Sequence, residues 1–351
     1  MTLGKVNPPV SVVILNYNGS DMTLRCVDSI LRKTRYPYFE VIVVDNGSEG
    51  RDFERLVAGL RGVKRVRMVR SRVNLGFAGG CNLGARKSRG ELLVFLNNDT
   101  WVEEGWLCEL VRTFTDDPRV GAAQSLLLRP DGTVDSSGDF IDLFGVSMRR
   151  DGDWGARYEG QYRSVEEIFS SRGAAMAVRR DVFEALGGFD EDFFLTYEDI
   201  DLSWRVRRLG YKVVLVPTSV VYHVGEASEC PSALKVFHYE KNRLLTIFKN
   251  SPPNILIKYN PFLPLLANMA FSVLQRRGDH LAARVRALAW VMRRLRKIWR
   301  RRKALAVSLA FDSRLMLRTG YRAFLRFCLT WALRGKREAL WEYYRVGGCP
   351  G

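Results

Sequence analysis

Residues 10–16 read VSVVILN and decide the fold, because they form an unbroken, largely β-branched apolar run. Such a run is typical of a strand that is buried on both faces, as in a parallel sheet. The following segment, 20–34, carries apolar side chains at helical spacing and begins with Ser20 and Asp21, which are candidate N-caps. A strand followed by an amphipathic helix predicts the first step of an α/β domain.

The same alternation continues outward from this segment. Further strands are predicted at 39–44, 63–69, 91–96, 174–178, 212–216 and 219–222. Helices are predicted at 53–60, 82–88, 180–186 and 199–209, and hairpins at Asp131-Gly132 and Asp151-Gly152. Alternating strands and helices predict an α/β fold with a mostly parallel central sheet and right-handed crossovers.

Polar residues follow three of the predicted strands at their carboxyl ends, namely Asn16, Asp45 and Asp99. Ligands bind outside the carboxyl ends of the strands in such sheets, so these residues predict a site at that edge. Asp99 is suited to a divalent cation on a nucleotide diphosphate, and Asp45 to a ribose hydroxyl or a base N–H. An ordinary turn role is the alternative for each carboxylate.

A glycine-rich stretch, NLGFAGGCNLG at residues 74–84, runs into the helix predicted at 82–88. Glycines let the backbone approach a ligand closely. The stretch does not match the GxGxxG pattern, and it follows the third strand rather than the first. Both facts disfavour a nicotinamide-dependent dehydrogenase.

More acids lie among residues 190–199 than helix capping needs, and Glu198 and Asp199 stand at the start of a predicted helix. A carboxylate there can act as a general base toward a hydroxyl nucleophile. Charge favoured by the helix dipole is the alternative. His223 follows the last predicted strand. For His223, binding of a metal or phosphate and a purely structural role are equally open.

The charge of the chain is concentrated at one end. The chain has 351 residues and a net charge of +17. Residues 276–351 contain 20 basic and 4 acidic residues, a net of +16, whereas residues 1–275 contain 35 and 34, a net of +1. A concentrated basic end predicts a local contact with nucleic acid or with an anionic membrane surface.

The basic end has the pattern of amphipathic helices. Apolar residues recur at helical spacing over 281–298, with basic residues among them and tryptophans at 290 and 299. Residues 255–274 are apolar but are interrupted by a lysine and two prolines, which predicts an interfacial helix rather than a membrane span. We expect an anionic membrane surface as partner. A basic helical bundle is the alternative, and no nucleic-acid-binding module is visible. A basic repeat further on comprises Arg314, Arg318, Arg322 and Arg326.

Six motifs, taken together, carry a resemblance. They are SVVILNYNG at 11–19, VIVVDNGS at 41–48, NLGFAGGCNLG at 74–84, VFLNNDT at 94–100, the segment 172–205 and YHVGEAS at 222–228. Their order and spacing resemble the inverting GT-A glycosyltransferases of family 2, in the rhamnosyltransferase-like branch, over about residues 8–245. The resemblance implies a Rossmann-like GT-A catalytic domain at 1–250, and the charge and helical pattern predict that the basic region at 251–351 associates with a membrane.

The resemblance also implies roles for individual residues. Those that would form the nucleoside pocket are Leu15, Asn16, Tyr17, Asp45, Gly76 and Phe77. Asn98 and Asp99 hold the place of the family's DXD-like motif, which here reads Asn-Asn-Asp with a single acid. Asp99 would bind Mg²⁺ or Mn²⁺, and His223 would complete the metal or diphosphate site. Asp199 would be the catalytic base, supported by Glu198.

The resulting expectation is inverting transfer of a sugar from a nucleotide-diphosphate sugar to a hydroxyl of a glycan or lipid-linked acceptor. dTDP-rhamnose is the first expected donor, and a UDP-hexose, UDP-N-acetylhexosamine or UDP-galactofuranose the second. We expect a peripheral protein on the cytoplasmic face of the cell membrane that binds no nucleic acid, and a homo-oligomer is open. The alternatives are a nucleotidyltransferase and a non-catalytic nucleotide- or glycan-binding protein with an anion-binding tail.

Overall fold

The computed structural model describes residues 7–150, 156–225 and 231–304. These residues form two compact units, the first of residues 7–138 and 156–225, and the second of residues 139–150 and 231–304. All the site residues named from the sequence lie in the first unit. The division into a catalytic domain at 1–250 and a helical region at 251–351 stays a prediction.

Strands and helices alternate along most of the described chain. In chain order the elements are β1 (Val10–Asn16), α1 (Ser20–Lys33), β2 (Phe39–Asn46), α2 (Gly50–Leu60), β3 (Val66–Ser71), α3 (Gly76–Lys87), β4 (Leu92–Asn97), β5 (Thr100–Val102), α4 (Trp106–Asp116), β6 (Val120–Leu128), β7 (Val134–Ser136), β8 (Asp139–Ile141), β9 (Ser147–Arg149), β10 (Glu166–Glu167), β11 (Ala175–Arg179), α5 (Arg180–Ala185), α6 (Glu198–Arg208), β12 (Lys212–His223), α7 (Ser232–Asn250), α8 (Pro253–Lys258), α9 (Leu263–Leu274) and α10 (Gly278–Ala304). Of these, β8, β9 and α7–α10 belong to the second unit.

A ten-stranded mixed sheet forms the centre of the described part of the first unit. Its order is β10-β12-β6-β11-β4-β1-β2-β3, with β5 beside β12 and β7 beside β6. β1 pairs in parallel with β2 and β4, and β2 with β3, whereas β11 runs antiparallel to β4 and β6. The predicted α/β fold with a mostly parallel central sheet is therefore confirmed. The register sets Asn16 beside Asp45, and Leu15 beside Asn97.

Alternate residues of the central strands enter two separate cores. Val12 and Ile14 of β1 pack in a core with Phe114 of α4, while Val13 packs in another with Phe183 of α5. Because side chains alternate between the two faces of a strand, a strand that is covered on both faces is apolar at nearly every position. This explains the unbroken run at residues 10–16.

The glycine-rich stretch is itself helical. α3 begins at Gly76, whereas the sequence pattern predicted a helix from residue 82. A Cβ on Gly80 would clash with Leu15, and one on Gly84 would clash with Val13. The missing side chains therefore let α3 lie close against β1. The low helix propensity of glycine concealed this helix in the sequence.

Several other bounds differ from the prediction. β5, α4 and β6 were not predicted. β12 is one strand where two were predicted, and its pairing with β6 shifts register between Val216 and Val220. The hairpin at Asp131-Gly132 is confirmed by the antiparallel pairing of β6 and β7. The one predicted at Asp151-Gly152 lies outside the described residues.

The second unit contains the β8–β9 hairpin and helices α7–α10. α10 confirms the helix predicted over 281–298. The apolar segment 255–274 is divided between α8 and α9, each with a proline in its first turn, where a missing N–H costs nothing. Within residues 7–150, 156–225 and 231–304, no helix is both long and apolar enough to span a membrane. The arginine repeat at 314–326 lies outside the described residues.

Candidate active site

Asn16, at the end of β1, organises the loops on one side of the predicted site. It is fully buried, and its Nδ2 lies 3.3 Å from Asp45 Oδ1, 3.0 Å from Ser48 Oγ and 3.2 Å from Asp52 Oδ2. The hydroxyl of Thr23 donates to Asn16 Oδ1 at 2.8 Å. Both ends of the amide are therefore used within the protein, and they hold the loops after β1 and β2 together.

Asp45 is fully buried at the end of β2. Its Oδ2 lies 3.3 Å from Nε of Arg70, whose Cζ is 3.4 Å from the centroid of the Phe53 ring. The Arg70 contact is an ion pair without hydrogen-bond geometry, and no other described residue donates a hydrogen bond to Oδ2. Asp45 therefore keeps one acceptor atom beside a cation that balances its charge.

Two more residues of the predicted pocket, and Asn98 of the DXD-like motif, lie near Asn16. Leu15 is half-buried and packs against the core beneath α3, whereas Tyr17 is 42% exposed. Asn98 Nδ2 lies 3.2 Å from Thr23 Oγ1, which links the loop after β4 to α1. The ring of Tyr17 is therefore accessible to a ligand.

Gly76 and Phe77 connect the start of α3 to the loop before α6. The N–H of Phe77 donates to the carbonyl of Phe194 at 2.6 Å, and Gly76 has a φ of +70°. Asn46, which the sequence analysis did not single out, donates from Nδ2 to Asn74 Oδ1 at 3.0 Å and to Gly76 O at 3.1 Å. The side chain of Asn46 therefore sets the shape of this turn.

Asp99 and His223 meet at the carboxyl end of β4. The pairing of β5 with β12 sets His223 opposite Thr100, so His223 Nε2 lies 3.3 Å from Asp99 Oδ1. His223 Nδ1 lies 2.8 Å from Oδ2 of Asp135, which is 5% exposed. Asp135 carries no signal in the sequence, because it stands in a hairpin outside every motif.

The two carboxylates control the charge of His223. Burial lowers the pKa of His223, but the hydrogen bonds and charges of Asp135 and Asp99 outweigh it and raise the pKa to about 9. The ring is therefore charged near neutral pH and bridges the carboxylates. Binding of a cation at Nε2 requires the loss of one proton from the ring.

The donor atoms at this point fit a divalent cation. A carboxylate oxygen and an imidazole nitrogen converge, and the other nitrogen of the ring is held by a carboxylate, as is common for metal-binding histidines. No group of three or more His, Cys, Asp or Glu side chains in the described residues is placed to hold a metal ion. A cation would therefore take Asp99, His223 and oxygens of a bound diphosphate. A carboxylate together with diphosphate oxygens is the usual coordination of Mg²⁺, and His223 would add a nitrogen ligand.

Asp199 lies in the first turn of α6. Its Oδ1 accepts the N–H of Ile200 at 2.8 Å, and its Oδ2 accepts the N–H of Gly173 at 2.9 Å. A Cβ on Gly173 would lie 3.1 Å from the ring of Phe77 and 3.6 Å from Asp199 Oδ2. The absence of a side chain at Gly173 therefore lets Phe77 and Asp199 lie close to the same backbone.

Residues 172–174, called here the bridging segment, contact both parts of the site. Gly173 holds Asp199, and Arg172 Nη1 lies 3.9 Å from Asp135 Oδ2. The carbonyl of Ala174 accepts the N–H of Asn97 at 3.1 Å. The bridging segment therefore joins the candidate base to the end of β4 and to the carboxylate that holds His223.

The turn that leads into α6 has an uncommon backbone. Phe194, Thr196 and Tyr197 have φ values of 63°, 65° and 68°, a region that costs non-glycine residues free energy and that clusters at functional sites. Asn82 of α3 holds the loop upstream, because its amide donates to the carbonyl of Phe189 at 2.9 Å and accepts its N–H at 2.9 Å. Contacts with α3, from Asn82 and from the N–H of Phe77 to the carbonyl of Phe194, thus anchor the loop that contains this turn.

The acids around Asp199 have different environments. Glu198 is 5% exposed. Asp201 is fully buried, and its Oδ2 lies 2.8 Å from Nε of Arg205, which also donates to the carbonyls of Leu186 and Gly188 at 2.9 Å. Asp201 therefore has a structural role, although the sequence alone placed it near the functional pair.

A largely parallel α/β sheet that places polar side chains at the carboxyl ends of its strands is typical of nucleotide-binding proteins. The sequence profile that describes glycosyl transferase family 2 matches residues 11–187. The chain therefore belongs to glycosyl transferase family 2. The match ends before Glu198, Asp199 and His223, and the roles of these residues stay predictions.

Individual relatives are consistent with this family. The O-antigen biosynthesis protein RfbC of Myxococcus xanthus is 32% identical over 238 residues, which are 66% of this chain and 18% of that protein. The N-acetylglucosaminyl-diphospho-decaprenol L-rhamnosyltransferase of Mycobacterium tuberculosis (strain ATCC 25618 / H37Rv) is 27% identical over 234 residues, which are 60% of this chain and 75% of that protein. The chain spans only 18% of the Myxococcus protein and 30% of a Sinorhizobium fredii relative.

A solved structure agrees with the fold. The crystal structure of GalNAc-T7 with UDP, GalNAc and Mn²⁺ has a TM-score of 0.58 at 18% identity, and the match covers 82% of this chain and 58% of that one. This similarity confirms the predicted GT-A fold.

Proposed function

We propose that this chain transfers a sugar, with inversion, from a nucleotide-diphosphate sugar to a hydroxyl of a glycan or lipid-linked acceptor. The observation that carries the proposal is the bridging segment, which contacts Asp199 on one side and the Asp135–His223–Asp99 group on the other. The transfer needs a base for the hydroxyl and a stabilised diphosphate leaving group. These two parts of the site supply both.

Asp199 is the general base in this proposal. Each of its oxygens accepts one backbone N–H, which fixes the plane of the carboxylate. The N-terminus of α6 stabilises the negative charge. The acceptor oxygen attacks the anomeric carbon while Asp199 takes its proton. The bond to the nucleoside diphosphate breaks on the opposite face, so the configuration inverts.

The donor lies along the carboxyl edge of the sheet in this proposal. Tyr17 stacks on the base, Asp45 accepts from the nucleoside, and Asp99 and His223 hold Mg²⁺ or Mn²⁺. When bound, the cation stabilises the charge on the departing diphosphate. Similarity to the mycobacterial rhamnosyltransferase supports dTDP-rhamnose as the first donor to test, ahead of UDP-hexoses, UDP-N-acetylhexosamines and UDP-galactofuranose.

The test compares Asp199→Asn with Asp181→Asn. Asp181 is an exposed residue in the first turn of α5, and its Oδ1 accepts the next backbone N–H at 2.8 Å, as Asp199 Oδ1 does. We expect Asp199→Asn to lower transfer by about 10²–10⁴-fold without loss of nucleotide binding, and Asp181→Asn to behave as wild type. Transfer by Asp199→Asn at the wild-type rate would refute the assignment of the base.

The same assay separates the alternative functions. Transfer of a nucleotidyl group instead of a sugar would favour a nucleotidyltransferase. Binding of nucleotide sugars with no transfer to any acceptor would favour a non-catalytic binding protein. Analysis of the anomeric configuration of the product tests inversion, because a retained configuration contradicts the single displacement.

For the second unit we propose an anionic membrane surface as partner. Val285, Met292 and Trp299 of α10 recur at two-turn spacing and are 48%, 52% and 44% exposed. An exposed arginine follows each of them directly in the chain. These six residues form what we call the outer stripe. The opposite face of α10 is buried, since Ala283, Ala287, Val291 and Ile298 are at most 2% exposed. Apolar side chains flanked by arginines suit an interface that carries anionic headgroups.

Vesicle sedimentation tests this partner. Replacing Arg286, Arg293 and Arg300 by Gln should weaken binding to phosphatidylglycerol vesicles by about 3 kcal/mol, on the order of 100-fold. A matched control replaces three exposed arginines of the first unit, Arg25, Arg51 and Arg61, by Gln. An equal loss in the control would mean that net charge alone is responsible, and no binding by wild type would refute the proposal.

A further inference from the structure

Asp135, in the middle of β7, contacts the imidazole of His223 from the side opposite Asp99. Oδ2 of Asp135 lies 2.8 Å from His223 Nδ1, while His223 Nε2 lies 3.3 Å from both Asp99 Oδ1 and Asn97 Nδ2. The contact with Asp135 is thus the shortest that the ring makes among these three. It determines the position of the ring more strongly than the contacts on the Asp99 side.

We propose that Asp135 is a positioning residue that orients His223 and thereby sets the affinity of the site for a divalent cation. The two ring nitrogens have different tasks, because a nitrogen that donates its proton to a carboxylate leaves the other nitrogen to bind the metal. A carboxylate at Nδ1 also makes Nε2 a stronger ligand. This inference rests on the proposed role of Asp99 and His223 in cation binding.

Asp135 is itself held in place by two cations. Oδ1 lies 3.3 Å from Nη2 of Arg129, and Oδ2 lies 3.9 Å from Nη1 of Arg172. Arg129 also donates from Nη1 to the carbonyl of Val134 at 3.2 Å and to Thr133 Oγ1 at 3.3 Å, so it clamps the β6–β7 turn. The carboxylate therefore has a fixed plane, with Oδ2 directed to His223 and Oδ1 to Arg129.

Through Asp135, the β6–β7 hairpin acquires a role in the site that its sequence does not indicate. The hairpin contributes no ligand to the cation, yet it determines how one ligand is oriented. Because Arg172 belongs to the bridging segment, the contact between Arg172 and Asp135 also couples this orientation to the backbone that holds Asp199. The contact with Arg172 is 3.9 Å long and that with His223 is 2.8 Å long, so we expect Asp135 to act mainly through His223 and hence on cation affinity.

The test measures Mn²⁺ binding to the full-length protein by electron spin resonance of free Mn²⁺, alone and with UDP or dTDP. We expect Asp135→Asn and Asp135→Ala to weaken Mn²⁺ binding by about 10–100-fold. The control is Asp131→Asn in the same hairpin, an exposed residue whose carboxylate contacts only Thr133 among the described hydrogen bonds. It should bind Mn²⁺ as wild type does.

A second readout separates positioning from loss of structure. If Asp135 acts through cation affinity, excess Mn²⁺ should restore transfer by Asp135→Asn to near the wild-type maximal rate, whereas damage to the fold would lower that rate at every Mn²⁺ concentration. A maximal rate that excess Mn²⁺ does not restore would overturn the inference.

The variants His223→Ala and Asp99→Asn test the cation site itself, separately from the role of Asp135. Weak Mn²⁺ binding by both, together with wild-type affinity in Asp135→Asn and Asp135→Ala, would overturn the inference and leave the cation site standing. Wild-type affinity in His223→Ala and Asp99→Asn, or no Mn²⁺ binding by wild type with any of the nucleotides, would refute the cation site and the inference together.

Discussion

Gly76→Ala offers the sharpest test of how the glycine-rich turn supports the site. Gly76 has a φ of +70°, and an added Cβ would lie 2.6 Å from Cδ2 of Phe194 and closer still to its carbonyl oxygen. That oxygen accepts the N–H of Phe77 at 2.6 Å, so it cannot withdraw without loss of this hydrogen bond. The left-handed backbone costs alanine about 1 kcal/mol, and the overpacking adds about 1–3 kcal/mol.

The control for this variant is Gly105→Ala. Gly105 precedes α4, has a φ of +80° and has no atom within 4 Å of an added Cβ. It therefore pays the backbone cost of about 1 kcal/mol without the clash. Urea unfolding of both variants, followed by circular dichroism, should show Gly76→Ala to be the less stable by about 1–3 kcal/mol. Equal destabilisation of the two variants would refute the close approach of Gly76 to Phe194.

Transfer activity should separate the variants as well. Phe194 begins the turn with positive φ values that leads to Glu198 and Asp199. A shift of that turn moves the candidate base, so we expect Gly76→Ala to lose transfer under conditions in which it remains folded. Gly105→Ala should retain the wild-type rate.

Three further predictions concern stability, pH and the donor. Asp201→Asn leaves Arg205 buried without its counter-ion and should destabilise the fold by about 3–5 kcal/mol in the same unfolding assay; a loss below about 1 kcal/mol would contradict the pairing. Burial raises the pKa of Asp52, but hydrogen bonds led by the backbone N–H of Ser20 outweigh it and lower the pKa below its ordinary value. Because this pKa is lower in the folded than in the unfolded state, the stabilisation by Asp52 is complete above the unfolded value near 4 and is lost as the pH falls through the folded value. Asp52→Asn should therefore flatten the acid side of a stability–pH curve, and an unchanged slope would contradict this. Tyr17→Ala should raise the donor KM by about tenfold with little change in stability, since the ring is 42% exposed, and an unchanged KM would argue against stacking on the base.

The central strands could be predicted from the sequence because burial on both faces requires unbroken apolar runs. β1 has the predicted bounds, and β4 is shifted by one residue. β6 was missed, although all nine of its residues are buried, because Gln124 and Ser125 interrupt its apolar pattern. The structure shows what satisfies them: Gln124 Nε2 donates to the carbonyl of Ser136 at 3.1 Å, and Ser125 Oγ lies 2.8 Å from Ser219 Oγ. Such long-range partners leave no periodic signal.

The residues of the candidate site likewise divide into those that could be predicted from the sequence and those that could not. Asp45 and Asp99 could be placed at one edge from the sequence, because parallel strands bring their carboxyl ends together. Asp135 and Arg172 could not, since each acquires its role through a contact between elements distant in the chain. Asn46 stands in the quoted motif at 41–48, but its role was missed because the motif does not show which turn its amide holds. Side chains whose role is to orient other side chains therefore cannot be predicted from a single sequence.

The reversed direction of β11 has a consequence for how the chain tolerates change. Ala175 of β11 pairs with Leu96 near the end of β4, while Arg179 pairs with Leu92 near its start. The residues that enter β11, rather than those that leave it, therefore lie at the carboxyl edge. A change of length just before Arg172 would act on both halves of the site, whereas the other end of β11 lies at the far rim of the sheet and continues directly into α5. One reversed strand thus places the constraint of the site on the segment that enters β11 and not on the helix that leaves it.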